Sequence, residues 1–260
     1  MRDKRKVIIY SDELNDEFSL TDITPRVIGD DYVYEPKGLW KKITRFFWYR
    51  VIATPCAFLY MKIFFRYRVV GREKLKGFYR RGYFLYGNHT QDWGNAFAPS
   101  VINFPQQDFI IVHANNVSIP YVGKVTPSMG ALPLPDTKAA SLHFARAVAH
   151  KIEQGHTVVI YPEAHIWPYY TKIRPFRDAS FFYPARLKCP VFCFTDTYRR
   201  RKNGKARIVT YIDGPFYPDE SLSVPLRASF LRDEIYRTMC RRAASSDIEV
   251  IKYVQKEEPR

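Results

Sequence analysis

Apolar residues along this chain gather into short continuous runs. Polar, glycine- or proline-bearing breaks separate them. "GYFLYGNH" (82–89), "FIIVHANN" (109–116), "HTVVIYPEA" (156–164), "PVFCFTDTY" (190–198) and "ARIVTYIDGPF" (206–216) each carry an unbroken apolar stretch rich in β-branched and aromatic residues. Such runs read as strands, and the least interrupted as strands buried on both faces, as in a parallel sheet. "VVGREKL" (69–75) reads as another short strand. Between them, "LHFARAVAHKIEQG" (142–155) shows helical spacing at Leu142, Ala145, Val148, Ala149 and Ile152, and stops at Gly155. "SVPLRASFLRDEIYRTMCRRAASS" (223–246) reads as a closing helix rich in basic residues. Strands alternating with helices predict an α/β domain with a mixed, mainly parallel sheet flanked by helices.

Upstream the pattern differs. Residues 1–36 are polar and mixed, and read as a loosely docked arm with a short strand at Val7–Tyr10. Residues 37–70 are the most hydrophobic part. Lys41, Lys42, Arg45, Arg50, Lys62, Arg66 and Arg68 are interleaved there with Trp40, Phe46, Phe47, Trp48 and Phe64. The uninterrupted apolar run, between Arg50 and Lys62, is about half of the roughly 20 residues a membrane span needs, and Pro55 falls inside it, where it would kink a helix. Alternating basic and aromatic residues suit helices lying in a membrane interface, with long cations reaching to headgroups. The expected organisation is an arm (1–36), a helical membrane-anchoring segment (37–70), an α/β domain (71–216) and a C-terminal extension with a basic helix (217–260).

Composition narrows the partners. A formal net charge of +15 attracts polyanions. The chain has no zinc-finger spacing and no aromatic RNA-binding signature, and its basic residues neighbour apolar segments, so membrane lipids are expected and nucleic acid is not. Cys56, Cys189, Cys193 and Cys240 form no pair of metal-binding pairs; reduced thiols and no metal are expected. The basic N-terminus lacks the apolar region and cleavage site of a signal peptide. The expected location is therefore the cytoplasmic face of a membrane, peripheral or monotopic.

The candidate chemistry begins where the first strong strand ends, at Asn88-His89-Thr90-Gln91-Asp92. A histidine beyond a strand end can take a proton from a hydroxyl, provided a neighbour fixes its tautomer. Asp92 is three residues on; Asn95, an amide able to play the same part, is reached only if the turn folds back. A second element is Pro162-Glu163, at the end of another buried strand. His165, Lys172, Arg174 and Arg177 come after it as candidate substrate contacts.

In this arrangement the chain resembles the glycerolipid acyltransferases, the PlsC-like, lysophosphatidate-type family. Asn88-His89 match its Asn-His-x4-Asp block, Gly130-Ala131-Leu132-Pro133-Leu134 its second block, and Tyr161-Pro162-Glu163 its Phe-Pro-Glu block. The stretch from Pro175 to Phe181 and Cys189-Pro190-Val191 match the family's two later segments, and all stand in the family's order over about residues 70–215. Three positions depart: the family's aspartate falls on Gly94, and its two acceptor-binding arginines fall on Asp136 and Ile166. The resemblance implies an acyl transfer with His89 as general base and Asp92 or Asn95 as its partner. Asn88, Gly130, Glu163 and His165 would belong to the site, and Lys172, Arg174 and Arg177 would replace the missing arginines. Acyl-CoA or acyl-ACP would be the donor and a lysophospholipid the acceptor, in phospholipid biosynthesis, with no bound cofactor. The departures also fit a member that has lost catalysis and binds membrane lipid.

Overall fold

Strand β3 (Tyr83–Gly87) is buried along its whole length, as its apolar run predicts. Its side chains alternate between two cores: Phe84 and Tyr86 face one, Tyr83 and Leu85 the other. β6 (Thr157–Ile160) repeats the alternation, with Val158 and Ile160 on the first face and Val159 on the second. A sheet apolar on both sides must be covered on both sides, and it is.

The structure, a computed structural model, describes residues 5–19 and 23–256. A seven-stranded sheet runs in the order β2-β8-β7-β3-β6-β4-β5. Its other members are β2 (Arg68–Val70), β4 (Asp108–Val112), β5 (Ala131–Pro133), β7 (Val191–Arg200) and β8 (Ala206–Phe216). Every neighbouring pair is parallel except β7 and β8, an antiparallel hairpin. The predicted α/β class with a mixed, mainly parallel sheet describes this architecture. The predicted strand at residues 69–75 is shorter: only Arg68–Val70 pair, and Arg72–Phe78 coil into a 3₁₀ turn.

Helix α4 (Lys138–Glu153) starts where the Thr137 hydroxyl accepts from Ala140 N at 3.1 Å. It is followed by Gly155 at φ +78°. Its buried stripe is Ala140, Phe144, Ala147, Val148 and Lys151, whereas Leu142 is exposed. The helix is therefore turned relative to the predicted stripe, because Phe144 aligns with small residues three and four positions away and leads the packing. Helix α6 (Val224–Ala243) buries Leu231, Ile235 and Met239 in the same core as Val158 and Val191. It is part of the domain rather than an extension beyond it.

On the opposite face lie α1 (Leu39–Phe46), a π-helical stretch Phe47–Ala53, α2 (Thr54–Phe65) and α3 (Asp92–Asn103). Pro55 stands in the first turn of α2, where its missing N–H does least harm. The loosened turns lie just before it, where the Tyr49 carbonyl accepts from both the backbone N–H of Thr54 and its Oγ1, the latter at 2.7 Å. α2 turns Ala57 and Met61 inward and leaves Leu59, Ile63 and Phe64 exposed; α1 buries nothing and exposes Leu39, Trp40, Ile43 and Phe46. Among the described residues no helix is long and apolar enough to cross a membrane.

The N-terminal arm is more firmly held than its polar composition predicts. β1 (Lys6–Tyr10) pairs in parallel with β9 (Ile251–Gln255). Further along, Ile28 and Tyr34 are buried in the first core, Ile28 N donates to Asp136 Oδ2 at 2.6 Å, and Tyr34 OH donates to the Pro133 carbonyl at 3.0 Å. A few apolar side chains and satisfied backbone groups hold it, with no periodicity for a sequence pattern to reveal.

Candidate active site

The end of β3 is extended by a side chain. Asn88 is buried and imitates a strand backbone: its Nδ2 donates to the Asp196 carbonyl at 3.0 Å, and its Oδ1 accepts from Asp196 N at 2.7 Å. The amide thus adds one rung to the β3–β7 ladder, where Gly87 is already opposite Phe194. Gly87 has no room for a side chain, since a Cβ would meet the Phe194 ring at 2.1 Å. Asn88 positions the next residue and has no free amide with which to hold a substrate.

That next residue is His89. Its backbone N–H donates to Glu163 Oε2 at 3.0 Å. Its ring lies on Tyr161, with centroids 4.4 Å apart and planes 17° from parallel. Its Nδ1 is 2.6 Å from Asn95 Nδ2. Asn95 reaches it because Gln91 is still extended, so α3 begins only at Asp92. Helical side chains lean toward the N-terminus, and one in the first turn leans back over the residues that precede the helix. Asp92, the first helical residue, faces solvent and accepts from Ser19 Oγ at 2.6 Å. Of the two candidate partners, the structure brings Asn95 to the ring and turns Asp92 away.

The amide end that faces Nδ1 sets the tautomer. Asn95 Oδ1 is buried without a hydrogen-bond partner. With the two ends of the amide exchanged, that oxygen accepts from Nδ1–H and Nε2 keeps its lone pair; with Nδ2 facing the ring, Nδ1 is the acceptor. Tyr161 OH donates to the Asn95 backbone carbonyl at 2.5 Å, so the residue that supports the ring also supports its partner.

Burial pushes the His89 imidazole down to about 3, and the positive charges of Arg174 and then His165 push the same way. The ring is neutral across the physiological range. Glu163, 3% exposed, divides its carboxylate between two backbone donors: His89 N on Oε2 and Arg174 N on Oε1, each at 3.0 Å. Burial raises its pKa, against the opposing pull of Arg174 and the two N–H groups. Arg174 is itself fully buried. Its guanidinium donates to the carbonyls of Glu163 and Glu13, each at 3.1 Å, and to that of His165, and it lies 4.9 Å over the Trp167 ring. Arg174 is thus a structural cation. It is not a free ligand for an acceptor group, contrary to its expected role.

Lys172 and Arg177 are exposed, and Arg177 is close enough to Asp12 to help lower that carboxyl's pKa. His165 is partly exposed, its Nδ1 3.5 Å from Glu17 Oε2. Ala164 adopts φ +63°, a conformation natural to glycine. Gly130 lies elsewhere: β6 and β4 separate β5 from β3, and Gly130 enters β5 at the end opposite His89. At φ +104° its Cβ position is 2.5 Å from the Asp108 carbonyl, so a close backbone approach explains it. Among the described residues no cluster could hold a metal ion, and the four cysteines are unpaired, with burial pushing Cys189 up to about 12.

Sequence reasoning missed two groups. Tyr161 was visible only as a match to a block, without its stacking role. The arm was visible with its strand at Val7–Tyr10, but not as a neighbour of the site: Trp167 donates to the Asp16 carbonyl at 2.8 Å, and with Glu13, Glu17 and Ser19 this segment borders His89 and Glu163.

No protein-family model and no curated protein sequence matches the chain. Among solved structures it is similar to the crystal structure of the 1-acyl-sn-glycerophosphate acyltransferase PlsC from Thermotoga maritima. The TM-score is 0.53 and the identity 18%, covering 80% of this chain and 81% of that one. The fold is therefore of that acyltransferase type.

Proposed function

We propose that this protein is an O-acyltransferase that moves a fatty acyl group from an acyl thioester, acyl-CoA or acyl-ACP, to a hydroxyl of a lysophospholipid such as lysophosphatidate. The observation that carries the reading is the state of His89: neutral, stacked on Tyr161, and held at Nδ1 by Asn95. His89 Nε2 takes the acceptor's hydroxyl proton as its oxygen attacks the thioester carbonyl. The tetrahedral intermediate collapses with cleavage of the C–S bond, and the imidazolium returns the proton to the departing thiolate. Products are the ester and a free thiol. Glu163 works from behind, holding the His89 backbone, and is a positioning residue.

The apolar side chains exposed on α1 and α2, with basic residues between them, fit a peripheral or monotopic seat in a membrane interface on the cytoplasmic face. A lipid acceptor would reach His89 from that surface, as phospholipid biosynthesis would require. Lys172 and Arg177 are the exposed cations available for an acceptor phosphate.

The test is acyl transfer by the membrane-reconstituted protein, supplied with labelled acyl-CoA or acyl-ACP and lysophosphatidate or neutral lipid alcohols. His89→Ala should abolish transfer while the protein stays folded and vesicle-bound, and Asp92→Ala should retain it. Full turnover by His89→Ala would refute the proposal. Folded wild-type protein inactive with every donor–acceptor pair would favour a non-catalytic lipid-binding member.

A further inference from the structure

Among the described residues, the β7–β8 hairpin tip, "RRRKNGKAR" (199–207), carries six basic side chains in nine residues. Arg199 is committed, paired with Asp247 at 3.2 Å. Among the described residues, Arg200, Arg201, Lys202, Lys205 and Arg207 form no ion pair. Arg200, Arg201, Lys202, Asn203 and Arg207 line a shallow concavity of about 460 Å³. Within it, Arg207 Nε is buried without a hydrogen-bond partner.

This finger is held in place. Arg201 N donates to the Lys205 carbonyl and Gly204 N to the Arg201 carbonyl, both at 2.9 Å, with Gly204 at φ +78°. At its base Arg200 N donates to Asp247 Oδ1 at 2.5 Å, tying the hairpin to the segment after α6. A basic tip fixed in this way keeps its like charges together with a single carboxylate, Asp247, at its base, which costs repulsion unless a further anion is supplied.

Its position says which anion. β7 is parallel to β3, and Phe194 lies opposite Gly87. The strand then continues to Arg200, carrying the tip about 20 Å beyond the end of β3 on the side that holds His89. β2 enters beside β8 at this same end, with Arg68 opposite Val209. The C-terminus of α2, bearing exposed Ile63 and Phe64 beside Lys62 and Arg66, therefore arrives next to the finger. Apolar helix, cationic tip and histidine share one end of the sheet.

We propose that the β7–β8 finger is a phosphate-binding foot whose concavity takes the phosphate groups of anionic lipids, seating the His89 end of the sheet against the bilayer. The inference rests on the reading that α1 and α2 work at a membrane surface. The apolar helices supply attachment to any bilayer, and the finger supplies charge selectivity and orientation.

The test uses the full chain and two vesicle types, phosphatidylcholine alone and phosphatidylcholine enriched in phosphatidylglycerol. Arg200→Ala/Lys202→Ala is compared with Lys138→Ala/Arg146→Ala, an exposed pair on α4 with the same loss of charge. A headgroup contact is worth about fivefold in affinity per basic residue, so the finger pair should lose roughly 25-fold on anionic vesicles. It should lose nothing on phosphatidylcholine, keep the wild-type thermal midpoint, and show a shallower salt dependence. The α4 pair should bind as wild type. Equal losses from both pairs would overturn the proposal, since net charge alone would then account for binding. Unchanged vesicle binding with lost binding of acyl carrier protein would overturn it too, assigning the surface to a protein. Wild-type failure on phosphatidylcholine would instead strike the role of α1 and α2, leaving the anionic increment to judge the finger separately.

Discussion

Replacing Asn95 by aspartate would restore a carboxylate beside His89 and should change the reaction's pH dependence in a calculable direction. The ring sits near 3 because it is buried beside cations. The side chain at position 95 touches Nδ1, at 2.6 Å. Charge centres about 4 Å apart interact by about 4 kcal/mol at an effective dielectric constant of about 20, equivalent to about 3 pKa units on the imidazolium. The new carboxylate is buried as well and resists ionising, so the net rise should be about 1–3 units, into the range of about 4–6. In wild type, the His89 contribution to kcat/KM should stay flat from pH 8 down to about 4. In Asn95→Asp the acid limb should move up, with the base progressively protonated below about pH 6. The assay is thiol release from acyl-CoA across pH, using a thiol reagent that works in acid. Asn95→Ala, which removes the partner altogether, should lower kcat on the order of 10²-fold with little pH shift. Asp92→Asn should leave the profile where it was. Superimposable profiles for wild type and Asn95→Asp would refute the coupling between Asn95 and the ring, and with it the choice of partner.

Other expectations concern stability. Glu163→Ala should destabilise the fold by about 3–5 kcal/mol in chemical denaturation, because it strands the buried Arg174 and two backbone donors; a loss below 1 kcal/mol would contradict the clamp. Asp108 is buried, receives the Tyr49 hydroxyl at 2.8 Å, and has its carboxyl pushed up to about 6 by burial. Its folded pKa exceeds the unfolded one, so the folded state holds the extra proton and wild type should lose about 2.5 kcal/mol relative to Asp108→Asn as pH rises from 4 to 7. A pH-independent difference between the two proteins would exclude that account. Ala164→Gly should raise stability by up to about 1 kcal/mol, read from the denaturation midpoint, because φ +63° is strained for alanine; a loss of stability would show that the methyl group is packed.

The sheet was legible because β3, β6 and β7 are buried on both faces, and such strands must be apolar without interruption. His89 and Glu163 were legible for a related reason: each stands just past such a strand, where a polar residue breaks the run. The partner was not. A spacing rule for helices favours Asp92, but it does not apply across Gln91, whose extended backbone lets Asn95 lean back instead. Arg174 read as a candidate substrate contact, because sequence does not show the three carbonyls waiting for it. Gly130 was placed in the site through its matching block, whereas its close approach to the Asp108 carbonyl accounts for the glycine, and sequence does not show that packing. The arm's strand was legible at Val7–Tyr10, but its firm docking was not, because that rests on main-chain groups, which every residue carries alike, and on a few isolated side chains such as Ile28 and Tyr34.

That attachment has a consequence for how the protein is made. Arg5 and Glu249, paired where β1 meets β9, lie 244 residues apart. A carbonyl from the arm is one of the three that hold Arg174, and Tyr253 of β9 stacks on Trp167 at 5.1 Å. On the ribosome the arm emerges before the sheet yet must wait for β9 to receive it. The central sheet can assemble earlier, but the cation behind His89 stays incompletely satisfied until that late pairing. Synthesis and competence thus run in opposite orders: the arm is translated before the sheet but docks after it, and a chain lacking β9 would carry its histidine without the full support behind it.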